Sequence, residues 1–252
     1  MKTIKKLSVA IAASLITTAS FANWHSDLTL QETKTLSLNG ASLSEMHLDV
    51  GSGSLLMTGS NTNDINVIAH IYQEEAHSEY LLSLSERGDK AVLKAENQHN
   101  DENTRIDLEV QLPSRFNVNI EDGSGSITLK NVKSADIKDG SGSLTVSKVA
   151  GNLTIVDGSG SITVEDIQGL LNIDDGSGSI SVESVQGSVN IEDGSGSINI
   201  INVDRGVTIS DGSGSITVNN AESFTLLDDG SGSVNISNVK GNVNMNGNHR
   251  LK

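Results

Sequence analysis

The chain has 252 residues and no cysteine, so its fold is held without disulfides. Its formal net charge of −15 would repel nucleic acid and an anionic membrane surface alike. Aromatic residues make up only 2% of it, too few for a carbohydrate binder that works by ring stacking.

Residues 1–22 read as a secretory signal peptide. Lys2, Lys5 and Lys6 form a basic start, residues 7–16 are mainly apolar, and Ser20 and Ala22 stand at −3 and −1 of a cut after Ala22. Removing the three lysines takes the net charge to −18. No later stretch is long and apolar enough for a membrane-spanning helix, and no cysteine beside the cut could carry a lipid. The mature chain, beginning near Asn23 without a transmembrane segment, is expected in the periplasm, on the cell surface or in the medium.

Residues 23–121 read as an irregular N-terminal β section that caps the repeats beyond it. Val50-Gly51-Ser52-Gly53-Ser54 is a degenerate first coil, four coil lengths before Asp122, with the period lost between them. Residues 80–84 and 91–95 alternate across Arg87-Gly88-Asp89, which reads as a hairpin turn although it also spells an integrin-binding tripeptide. Residues 99–103 form a polar loop, and 105–112 a strand ended by Pro113.

From Asp122 to residue 246 the pentapeptide Asp-Gly-Ser-Gly-Ser recurs, with its Asp at Asp122, Asp139, Asp157, Asp175, Asp193, Asp211 and Asp229. The first interval is 17 residues and each later one is 18. A fixed period of this size is the signature of a solenoid, in which each coil buries its apolar face against its neighbours. Counted from the Asp, position 6 holds Ile127, Leu144, Ile162, Ile180, Ile198, Ile216 and Val234, with a second apolar row at position 8 and a third at 11. Positions 15 and 17 give pairs such as Leu153/Ile155, Leu171/Ile173, Val189/Ile191 and Val207/Ile209, with Ala135/Ile137 in the short first coil and Thr225/Leu227 in the sixth. Each coil is therefore two short strands with alternating faces, rich in β-branched residues and separated by glycine turns. A left-handed hexapeptide helix would need an apolar residue at position 5, which is always serine. The expected fold is all-β: a parallel right-handed β-solenoid of seven 18-residue coils, about 34 Å long at ~4.8 Å per coil. The basic tail 247–252 carries no amphipathic element to cap the last coil. That edge offers a route to self-association, as dimers or fibres.

The leader, the Gly-Ser-Gly-Ser-Leu-Leu-Met coil at 51–57, and the Leu-Pro-Ser-Arg-Phe-Asn-Val-Asn-Ile run at 112–120 leading into Gly-Ser-Gly-Ser-Ile-x-Val coils together resemble a bacterial putative-adhesin family of unknown function. The resemblance spans most of residues 43–246. It implies an exported β-solenoid and carries no catalytic or binding residues with it.

The aspartate ladder is the one site-like constellation in the sequence. Seven stacked carboxylates repel, and two arrangements would offset that. In one, each Asp accepts hydrogen bonds from the following Ser and Gly N–H groups in an Asx-turn. In the other, Ca²⁺ ions lie between coils as in nonapeptide β-rolls, with Asp174, Glu192 and Asp228 adding charge. The second half-coil lacks the Asp that such rolls require, which favours the turn. No other cofactor is indicated. His25, His47, His70, His77, His99 and His249 lack zinc-ligand spacing, and no Gly-x-Ser-x-Gly elbow occurs between a strand and a helix. A polysaccharide-active β-helix enzyme would need a basic proton acceptor, for which Arg205 is the one arginine inside the coils. Flat threonine arrays of the ice-binding kind are interrupted by Asn199, Asp136 and Leu226. The expectation is a non-enzymatic, adhesin-like binding or structural protein that displays repetitive polar ladders on a rigid rod, with the Asp-Gly-Ser-Gly-Ser edge as its contact face and a macromolecular or cell-envelope partner.

Overall fold

Apolar residues on alternate positions of short glycine-bounded segments bury one face as strands, and a segment that recurs once per coil can pair with its own copy in the next. The computed structural model describes residues 28–76, 80–97 and 104–246, and all regular structure among them is β, with no helix. The expected leader over 1–22, the polar loop at 99–103 and the basic tail at 247–252 lie outside the described residues.

The N-terminal strands are β1 (Thr29–Asn39), β2 (Glu45–Ser60), β3 (Asp64–Gln73), β4 (Tyr80–Arg87), β5 (Lys90–Asn97) and β6 (Thr104–Pro113), followed by β7 (Asn117–Val132). β2 lies parallel on β7, placing Val50 opposite Asp122, Gly53 opposite Gly125 and Met57 opposite Leu129. The degenerate motif is thus a coil stacked directly on the first regular one, and the chain between them lies on the other edge of β2 rather than between the two. It forms two extensions of the stack. On one side β2 is followed by parallel β5 and antiparallel β4, joined through the expected hairpin with Gly88 at φ 69°. On the other side β2 is followed by parallel β6, then antiparallel β3 and β1. Lys34 of β1 ties the two outer strands together, donating to the Tyr80 hydroxyl of β4 at 2.6 Å with its ammonium 4.8 Å from the ring centre. The first edge of the solenoid is therefore covered by its own chain.

From β7 onward every strand is parallel to, and in register with, its equivalents in the neighbouring coils. Ile162 pairs with Leu144 and Ile180, and Leu171 with Leu153 and Val189. This is a parallel β-solenoid of about seven turns with 18-residue coils. The five apolar rows form one continuous buried core that joins the N-terminal strands to the coils. In the last coil, Val234, Ile236, Val239, Val243 and Met245 pack against it only partly buried.

The short first interval arises because Lys133 alone separates β7 from β8 (Ser134–Asp139), so that Ala135 and Ile137 fall on Val118 and Ile120 as expected. The sixth coil differs from expectation. Val207 pairs with Phe224 and Ile209 with Leu226, so the inward pair there is Phe224/Leu226 and not Thr225/Leu227. The turn after Ala221 is one residue short, and an extra residue at Leu227 restores the register before Asp229 pairs with Asp211. The shift follows from burial. It places a phenyl ring and an isobutyl group in the core, where the alternative register would bury the Thr225 hydroxyl.

Leu226 is 0% and Leu227 51% exposed. Leu226→Ala is accordingly expected to cost about 2–5 kcal/mol in urea unfolding, and Leu227→Ala less than about 0.5 kcal/mol. The reverse order of costs would restore the Thr225/Leu227 register.

Candidate functional site

Each Asp of the pentapeptide after Asp122, which lies within β7, ends a strand whose inward residues precede it at alternate positions. The next inward position is the Asp itself, so the alternation that buries Ile155 and Ile173 also turns Asp157 and Asp175 into the core. Asp139, Asp157, Asp175, Asp193 and Asp211 are all buried, Asp175 to 2% exposure. They stack in register through the parallel pairings, with Asp122 before them and Asp229 after. At the head of the column the same register position is Val50.

One oxygen of each buried carboxylate closes the corner. Oδ1 accepts from the N–H two residues on: Ser141 to Asp139 at 3.1 Å, Ser159 to Asp157 at 3.2 Å, Ser177 to Asp175 at 3.2 Å, Ser195 to Asp193 at 3.0 Å and Ser213 to Asp211 at 3.0 Å. This is the Asx-turn arrangement. The Asp carbonyl accepts in turn from the corner Gly of the next coil, as Gly176 N–H does to Asp157 at 2.9 Å. The second oxygen is different. Oδ2 of Asp122, Asp139, Asp157, Asp175 and Asp193 is buried without a hydrogen-bond partner.

Taking a carboxylate out of water disfavours its charge, and here neighbouring carboxylates add to the effect. Burial, and then the negative charge of Asp139, push the Asp122 carboxyl up to about 7. Burial does the same to Asp193, aided by Asp175 and Asp211, and brings it to about 6. Burial also raises Asp139, Asp157, Asp175 and Asp211 above the usual carboxylate range.

The outward residues form ladders of another kind. Position 5 presents Ser143, Ser161, Ser179, Ser197 and Ser215, all exposed, and position 7 presents Thr145, Thr163, Ser181, Asn199 and Thr217 beside them. The other face carries an asparagine ladder in which Asn190 donates to Asn172 at 2.9 Å. A third row was not legible as such in the sequence. Asn131, Lys148, Asp166, Ser184, Asn202, Asn220 and Asn238, all at position 10, have φ between 56° and 64°. They turn the chain between the outward residue at 9 and the buried one at 11. The predominance of Asn and Asp in that column is the signal for it, since these residues tolerate left-handed backbone best after glycine. A groove of about 560 Å³ runs along this corner, lined by Lys148, Asp166, Gln168, Gln186, Asn202 and Asp204 among others.

The remaining sequence candidates stand apart from one another. His47 lies against Glu45 and Lys90 on β2 and β5, while His70 on β3 meets Thr33 at 3.1 Å and Glu109 at 3.6 Å. His25, His77, His99 and His249 lie outside the described residues. Among the described residues, no group of three or more His, Cys, Asp or Glu side chains is placed to hold a metal ion, and no helix is long and apolar enough to cross a membrane. Arg205 is exposed in a shallow depression with Asp204 and Glu222, at the turn between Val203 and Val207. Gln186, Ser188 and Ser223 line the same depression.

Neither a protein-family model nor a curated protein sequence matches the chain. Among solved structures it is similar to a putative adhesin from Bacteroides fragilis NCTC 9343, at 10% identity and a TM-score of 0.49, over 85% of this chain and 97% of that one. It is also similar to a putative adhesin from Parabacteroides distasonis ATCC 8503, at 13% identity and a TM-score of 0.44, over 80% and 96%. A putative cell adhesion protein from Clostridium sporogenes ATCC 15579 is similar at 14% identity and a TM-score of 0.32, over 84% and 98%. No residue role passes from them to this chain at such identities.

The left-handed corner gives a direct test of its strain. Lys148→Gly removes the Cβ from a residue at φ 59° and is expected to raise stability by up to about 1 kcal/mol in chemical unfolding. A loss of about 1 kcal/mol or more would mean that the Lys148 side chain contributes more than its backbone costs.

Proposed function

We propose that this chain is an exported, adhesin-like binding or structural protein of the cell envelope, and that its contact surface is the regular polar face of the solenoid. The observation that carries the reading is the pair of exposed ladders at positions 5 and 7. Hydroxyl and amide groups repeat there at the coil spacing of ~4.8 Å, over successive coils in register. The sheet beneath is rigid because each strand that carries these residues is paired on both sides and the core below them is buried. Groups held this way lose little freedom on binding, so individually weak contacts can add along an extended partner. The ladders carry no charge at positions 5 and 7, which suits an uncharged, hydroxyl-rich envelope polymer better than a charged one. The leader at 1–22 supports export to the compartment where such a partner is met.

Two measurements test this. Binding of the purified chain to intact cells and to isolated envelope polysaccharide is expected to fall about tenfold or more in a Thr163→Lys/Ser181→Lys variant, with an unchanged melting temperature. The equivalent pair on the opposite face, Asn172→Lys/Asn190→Lys, should bind as the parent does. Equal binding by both variants would remove the position 5 and 7 face as the contact surface. For export, the protein recovered outside the cytoplasm should begin at Asn23; an intact Met1 on the bulk of the protein in the cytoplasm would refute that part.

A further inference from the structure

The buried aspartate column does work that neither the corner geometry nor the binding face requires. One carboxylate oxygen per coil is enough to close the Asx-turn, and Oδ1 supplies it. Oδ2 of Asp139, Asp157, Asp175 and Asp193 remains inside, on residues more than nine-tenths buried, without a hydrogen-bond partner. Stacked buried charges without counter-charge are among the costliest arrangements in a protein, and such groups become neutral or take up a cation.

The charged groups around the column decide between these. The residues preceding the column aspartates are Glu121, Lys138, Val156, Asp174, Glu192, Ser210 and Asp228, of which only Lys138 is cationic, and its ammonium lies 3.6 Å from Glu121. The corner residues after each Asp are Gly and Ser throughout, and the inward residues of the facing strands are Leu144, Ile162, Ile180 and Ile198. No described cation faces the carboxyls. A divalent ion between coils would need roughly six to eight oxygen ligands, where the column offers one free oxygen per coil against apolar side chains. A proton needs only two oxygens. At the head of the column the same position is filled by the isopropyl group of Val50, 8% exposed, so a neutral side chain satisfies this site in the stack.

We propose that the column is a proton-binding site, in which carboxyls of successive coils share protons through their Oδ2 atoms, so that folding draws protons from near-neutral solution. A protonated Oδ2 becomes a donor. The neighbouring carboxyl lies one coil pitch away, ~4.8 Å, so sharing a proton requires facing oxygens of adjacent coils to close to an O–H···O bond of ~2.6 Å while Oδ1 stays on its Ser N–H. Each shared proton gives a partner to two otherwise orphaned oxygens and removes one buried charge. The sign follows from the raised carboxyls. The folded chain holds more protons than the unfolded one between the ordinary carboxylate range and the folded values of about 6 for Asp193 and about 7 for Asp122. Stability therefore rises as pH falls from 8 towards 5, and the gain is lost as pH rises through those values.

The test uses the full chain in three readouts. Thermal melts at pH 8, 7, 6 and 5 should show a melting temperature that climbs with acidity. Refolding in weak buffer near pH 6.5 with an indicator dye should take up about one proton or more per chain. Infrared spectra of the folded parent at pH 7 should contain the carbonyl band of a protonated carboxyl. The Asp157→Asn/Asp175→Asn variant keeps the Oδ1 acceptor and is expected to show a flatter pH slope, smaller proton uptake and a higher melting temperature at pH 8. A parent with no protonated band at pH 7 and no proton uptake overturns the proposal, whatever the variant does. So does a melting temperature at pH 8 that rises on adding Ca²⁺ over EDTA in the parent and not in the variant, which would make the column a cation site.

Discussion

The close approach of one backbone corner to the next governs this molecule. At Gly178 an added Cβ would lie 1.6 Å from the carbonyl oxygen of Gly160, and φ there is +146°. Neither the space nor the conformation admits a side chain. Because the fourth residue of every coil sits on its equivalent in this way, the coils cannot slide or tilt against one another. The in-register rows of the core, the Asx-turns and the outward ladders all inherit their spacing from that contact. The constant period is the sequence record of it, and the two departures occur where turns on the other side of the coil can lose or gain a residue.

The same contact explains how a section without repeats can cap the stack. Gly125 rests on Gly53 as later corners rest on each other, so β2 is a coil in geometry although a long aperiodic stretch separates it from the next. Once that coil is fixed, its outer edge takes β5 and β6 in parallel, and β4, β3 and β1 extend them as antiparallel neighbours. Antiparallel pairs can follow a hairpin and need no period, which is why the regularity vanishes from the sequence here without leaving the core.

The legible part of the fold was the part in which one residue type does one job in every coil. The Ile and Val rows at positions 6, 8, 15 and 17 announce strands and their inward faces directly, and Ala135/Ile137 could be placed despite the missing residue. Thr225/Leu227 could not. There the period and the apolar pattern disagreed by one, and the cost of burying a hydroxyl outweighed the period, with Leu227 bulged out to restore it. The direct stacking of Val50 on Asp122 was hidden because nothing in the aperiodic sequence between them says which edges it extends. The left-handed row at position 10 was hidden by its mixed composition, since Lys148 and Ser184 dilute the Asn and Asp signal. The Asx role of the Asp ladder was legible from the residue pattern. Its inward direction was missed, although the same alternation that buries Ile173 also buries Asp175 two residues on.

That direction changes what the ladder can mean. A row of exposed carboxylates would add to the surface charge of an already acidic chain and compete for counter-ions. A row of buried ones is closed to solvent ions by the corner and the core, and its charge must be settled within the fold. An apolar residue of similar size fits the equivalent position at Val50, but it could not accept the Ser N–H that closes the corner. A protonated aspartate does both: one oxygen caps the turn while the other is neutral towards the core and can bond to the next coil. The aspartate is thus retained where a corner must be both capped and packed against apolar side chains. The consequence is a rod whose stability depends on proton supply, and whose outer polar faces are held in position by a column buried along its middle coils.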